Sequence, residues 1–118
     1  MTRPRILVVE DEPALCGLFE RFLSRSGFDA HCAADGRAAL GSMDAAPGFE
    51  AAIVDLTLPD MPGEEVGEQM SLRDPAMPVL FISGRPVRVT GRNRAFLQKP
   101  FAPWELVEAL RRLLGLTA

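Results

Sequence analysis

The sequence predicts an α/β fold, a three-layer sandwich with helices on both faces of a parallel sheet. Three observations carry this prediction. Continuous apolar runs rich in β-branched residues recur at Ile6–Val9, Ala51–Val54 and Val79–Ile82, the pattern of strands buried on both faces. Segments with the apolar period of a helix lie between and after them. Each apolar run also ends directly on a polar residue, at Glu10, Asp55 and Ser83. Strands alternating with helices imply right-handed βαβ crossovers.

The first strand runs into Glu10-Asp11-Glu12. Pro13 suits the opening turn of the helix that follows. Leu15, Leu18, Phe19, Phe22 and Leu23 fall on one face of that helix, and Gly27 suits its end. Asp29–Ala33 is a weaker strand, fit for a flanking position. Gly36–Ala45 and Gly63–Arg73 read as helices although each holds an internal glycine, which costs about 1 kcal/mol relative to alanine. Arg94–Gln98 is a second flanking strand. Pro103 then opens the last helix, whose stripe is Leu106, Val107, Leu110, Leu113 and Leu114 before Gly115.

One connection departs from the pattern. Ser83 and Lys99 lie only sixteen positions apart, about one and a half helical turns short of a helix plus a strand. Gly84–Asn93 carries two glycines, a proline and three β-branched residues, all poor helix formers. The fourth helix, between the fourth and fifth strands, is therefore expected to be shortened or irregular. Arg85, Arg88, Arg92 and Arg94 concentrate positive charge on the same stretch.

Length and composition bound the function. The 118 residues are expected to form one domain over 1–118 with one hydrophobic core. No apolar stretch approaches the roughly 20 residues of a membrane span. No secretory signal precedes Glu10, so a cytoplasmic location without membrane attachment is expected. A net charge of −3 argues against direct nucleic-acid binding. Cys16 and Cys32 make neither a disulfide framework nor a Cys-x-x-Cys metal pair, and both read as reduced, packed thiols.

The chemistry collects at the carboxyl ends of the strands, where open parallel sheets form their ligand crevice. Glu10, Asp11 and Asp55 would meet there. Two unit charges about 4 Å apart repel by about 4 kcal/mol at an effective dielectric of 20, so a cation is needed. Hard oxygen ligands without His or Cys point to Mg²⁺. Ser83 adds a hydroxyl, and Lys99, the single lysine among thirteen basic residues, adds a compact ammonium. Together these parts suit a tetrahedral dianion, and a carboxylate among them suits attack on phosphorus.

The ordered set Glu10-Asp11, Asp55 in "VDLTLPDMPG", Ser83 after "VLFI" and Lys99-Pro100-Phe101 resembles the receiver domain of two-component response regulators, over essentially the whole chain. The receiver occurs alone or within hybrid histidine kinases. The resemblance implies a flavodoxin-like, five-stranded parallel sheet of order 2-1-3-4-5. It implies that Asp55 accepts a phosphoryl group from the phosphohistidine of a histidine kinase or histidine phosphotransfer protein. Glu10, Asp11, Asp55 and the Thr57 carbonyl would hold Mg²⁺, and Ser83 and Lys99 would bind the phosphoryl oxygens. The Lys99–Pro100 bond would be cis. Ser83 and Phe96 would be the switch pair, Thr57 and Arg85 would tune dephosphorylation, and a downstream protein would read the result.

Two other classes compete with that reading. Phosphatases and phosphotransferases that use an aspartyl phosphate often carry a second carboxylate two residues after the nucleophile; here that residue is Thr57, which speaks against turnover of other substrates. A receiver-like interaction module that is never phosphorylated would not need the complete acidic and lysine set. The expectation is therefore a domain that catalyses only its own phosphorylation and dephosphorylation.

Overall fold

The computed structural model describes residues 3–116. They form strands β1 (Arg5–Val9), β2 (Asp29–Ala33), β3 (Ala51–Asp55), β4 (Val79–Ser83) and β5 (Arg94–Gln98). Helices α1 (Pro13–Arg25), α2 (Gly36–Ala45), α3 (Gly63–Arg73) and α4 (Pro103–Leu113) complete the chain. The strands make one parallel sheet in the order β2-β1-β3-β4-β5, as expected.

Alternation along the central strands explains the two-sided core. On one face, Ile6, Val8, Ile53, Leu80 and Ile82 pack under Phe19 and Leu23 of α1 and Leu106 and Leu110 of α4. On the other, Leu7, Val9, Val54 and Phe81 pack under Leu40 and Met43 of α2 and Val66 and Met70 of α3. Both faces are thus buried, which is why these strands read as unbroken apolar runs. The flanking strands β2 and β5 are only partly covered.

The glycine inside α3 has a packing reason that outweighs its helix propensity. A Cβ on Gly67 would stand 2.6 Å from Cζ of Phe81, so the helix lies close to β4 only because that side chain is absent. Gly27, at φ +95°, takes the left-handed position that ends α1. The buried side of α1 is Cys16, Phe19 and Leu23, one position round from the centre of the predicted stripe.

Between β4 and β5 the chain forms no helix. It runs irregularly from Gly84 and turns at Gly91 and Asn93, both at positive φ. The Arg94 guanidinium pins this return to α3, donating to the Gly67 carbonyl at 3.4 Å and to Ser71 Oγ.

The expectation of two free thiols is corrected: Cys16 and Cys32 form a disulfide, with Cα atoms 6.1 Å apart. The cause is tertiary. Helix α1 packs on the face of the sheet that carries Cys32 of β2 and turns its buried Cys16 to meet it, a meeting that spacing alone does not reveal. Closing a loop of this size contributes about 3 kcal/mol on a chain-entropy basis. Adding a reductant is expected to lower the thermal midpoint, and an unchanged midpoint would show that the bond contributes nothing.

Candidate functional site

The carboxyl ends of β1, β3 and β4 lie side by side because the strands are parallel and in register, with Val9 opposite Val54 and Asp55 opposite Ile82. Glu10, Asp55 and Ser83 therefore arrive at one edge of the sheet, and all three are buried. Asp11, one residue on, is exposed. Glu10, Asp11 and Asp55 each present a carboxylate oxygen within 4.8 Å of the others. All these donors are hard oxygens, the set that suits a divalent hard cation.

Lys99 enters from the end of β5. Its Nζ lies 2.7 Å from Asp55 Oδ2 and 3.2 Å from Glu10 Oε1. The strand pairing that delivers it continues past β4, since the Lys99 amide donates to the Ser83 carbonyl at 2.8 Å. The Lys99–Pro100 bond is cis. The second oxygens of both carboxylates are also engaged: the Thr57 amide donates to Asp55 Oδ1 at 2.8 Å, and the Glu12 amide donates to Glu10 Oε2 at 3.1 Å.

These contacts set the charges. Burial, followed by the hydrogen bond and negative charge of Asp55, pushes Glu10 up to about 7, against the opposing pull of the Glu12 amide and Lys99. Burial alone would lower Lys99, but Asp55 and Glu10 together outweigh it and raise the ammonium above its ordinary value. A carboxyl raised in the folded state binds a proton that the unfolded chain has released, so its contribution to stability is lost as pH rises from about 4.5 through 7. With divalent ions chelated, stability is expected to fall across that window. Glu10→Gln should flatten the slope in urea denaturation at pH 5, 6, 7 and 8; an equal slope in both proteins would refute the assignment.

The remaining predicted residues are placed as follows. Ser83 Oγ accepts from the Arg85 amide at 3.1 Å, so the backbone of Arg85 meets the site while its side chain is exposed. Thr57 is exposed at the rim. Phe96 is half-buried on β5 opposite Phe81 and packs on the α2 and α3 side of the sheet.

Two residues that support the site escaped the sequence reading. A Cβ on Gly63 would stand 2.5 Å from the Asp55 carbonyl oxygen and 2.6 Å from Leu56 Cα, so α3 begins directly against the backbone of β3. Asp60, in the loop after Asp55, accepts the amides of Gly36 and Arg37 at 2.9 Å each. Those two bonds hold its carboxyl below the usual range and clamp the loop to the start of α2. In the sequence both lie in "PDMPG", a composition that signals a turn and nothing more.

Comparisons with known proteins agree with the fold. The family model for the response regulator receiver domain matches residues 6–111. The transcriptional regulatory protein TrcR of Mycobacterium tuberculosis is 37% identical over 116 residues, covering 93% of this chain and 45% of that protein. Among solved structures, a CheY-like response regulator receiver domain protein from Methanospirillum hungatei superposes with a TM-score of 0.85 at 26% identity, covering 97% of this chain and 95% of that one. The receiver domain of the hybrid histidine kinase CckA superposes at 0.81 with 32% identity, covering 93% and 98%. The chain belongs to the response regulator receiver domain family. It spans about half the length of the curated relatives it matches.

Proposed function

We propose that Asp55 is the phosphoacceptor and that Glu10, Asp11, Lys99 and Ser83 are the parts that let it react. The observation that carries this reading is the Lys99 ammonium 2.7 Å from a buried Asp55 carboxylate within an acidic cluster. An Asp55 oxygen attacks the phosphorus of a phosphohistidine. The N–P bond breaks, the electron pair stays on the imidazole nitrogen, and that nitrogen then takes up a proton. The donor is a histidine kinase or histidine phosphotransfer protein.

Glu10, Asp11 and Asp55, with the Thr57 carbonyl, would hold Mg²⁺, which neutralises charge on the transferring oxygens. Lys99, already paired with Asp55, follows the phosphoryl group as a point charge. Ser83 turns its hydroxyl to a phosphoryl oxygen, and Phe96 shifts inward beside Phe81. Thr57 and Arg85 would tune how fast water hydrolyses the acyl phosphate. In this reading the domain turns over no other substrate and hands its state to a downstream protein. No helix among the described residues is long and apolar enough to cross a membrane.

Intact mass after incubation with acetyl phosphate and Mg²⁺ tests the reading. The wild-type protein is expected to gain one phosphoryl group, and Asp55→Asn none. A wild type that stays unmodified, or a variant that gains the group equally, would overturn it.

A further inference from the structure

Parallel strands are joined by a crossover that usually carries a helix lying on the sheet. The β4–β5 crossover has none, so one flank of α3 lacks a helical neighbour. A groove of about 560 Å³ lies there, between α3 and the crossover. Phe81, Leu72, Val87 and Val89 give it an apolar lining. Leu72 is 77% exposed, the most exposed large apolar side chain among the described residues.

The rims of the groove carry opposite charge. Arg88 lines the crossover side, Arg85 and Arg92 stand exposed to either side of it along the crossover, and among the described residues none of the three joins an ion pair. Glu64 and Glu68 line the α3 side. The groove lies on the face of the sheet rather than along a free strand edge. Strand addition therefore does not fit it, whereas an amphipathic helix laid in an apolar groove does.

We propose that this groove takes an amphipathic helix of a partner protein, seated where the crossover helix would otherwise lie. Its apolar stripe covers Leu72, Val87 and Val89. Its acidic edge faces Arg88, with the exposed Arg92 further along the crossover, and its basic edge faces Glu64 and Glu68. The two rims select such a helix by charge, since a helix basic on both edges would set like charges against the arginines. The inference is independent of phosphorylation at Asp55.

The test uses the full chain, ¹⁵N-labelled, and a synthetic helical peptide with leucines at i, i+3, i+4 and i+7, glutamates along one edge and lysines along the other. Saturable amide shifts confined to α3 and residues 84–93 are expected. The double variant Arg88→Glu, Arg92→Glu should bind about tenfold or more weakly, as should a control peptide with lysines on both edges. Absence of saturation at about 1 mM peptide, shifts centred elsewhere such as at Trp104, or equal binding of both peptides would overturn the proposal. So would a concentration-dependent dimer in sedimentation equilibrium that the double variant abolishes, because the groove would then belong to a second copy.

Discussion

Lys99→Met is expected to leave the protein close to wild type at pH 5 and to cost it about 3 kcal/mol at pH 8 in the absence of divalent ions, the scale seen when one partner of a buried ion pair is removed. The ammonium touches two carboxylates at 2.7 and 3.2 Å, and both are buried. Without it Glu10, which burial already raises, loses the charge that opposes that shift and gains further proton affinity in the folded state only. The sign follows directly: the folded chain then holds protons that the unfolded chain has released, so stability falls as pH rises. Mg²⁺ should restore part of the loss by binding the folded state alone. Chemical denaturation at the two pH values, with and without Mg²⁺, reads all of this. A loss equal at pH 5 and pH 8 would mean that the lysine acts by packing rather than by charge.

Gly63→Ala is expected to destabilise the protein by about 3 kcal/mol, the upper end of what overpacking a core costs. The new methyl would stand 2.5 Å from the Asp55 carbonyl oxygen and 2.6 Å from Leu56 Cα. Both are backbone atoms fixed by the sheet, so α3 has to move instead. Gly84→Ala is the matched control, since its Cβ meets nothing within 4 Å. It should change stability by less than about 0.5 kcal/mol, as substitutions remote from such contacts do. Because Gly63 abuts the residue that bears the carboxylate, phosphorylation of the alanine variant should also slow. A variant as stable as the control would show that the close approach is easily relieved.

Most of the fold was legible because its strongest signals are local. Ile6–Val9, Ala51–Val54 and Val79–Ile82 are buried on both faces, and burial on both faces writes an unbroken apolar run. Glu10, Asp55 and Ser83 could be grouped from the sequence because parallel strands bring their carboxyl ends to one edge. The missing helix was legible from the glycines, proline and β-branched residues of Gly84–Asn93. The Cys16–Cys32 bond was not, because it depends on how α1 is rotated over β2. Gly63 and Asp60 were missed for a related reason. Each acts on an element remote in sequence or on a backbone atom, and neither leaves a periodic or compositional trace.

The clamp at Asp60 makes the domain mechanically lopsided. The loop after Asp55 is bound at Thr57 to the carboxylate itself and at Asp60 to the first turn of α2, so that loop cannot pull away without stripping the helix of two bonds at once. On the other side, Ser83 is followed by the Arg85 amide on its hydroxyl, a long bond from Gln98 to the Gly84 carbonyl, and then irregular chain. Stress introduced at Asp55 meets a stiff wall in one direction and a compliant one in the other. Motion will follow the compliant path, toward β5 and its arginine-lined approach.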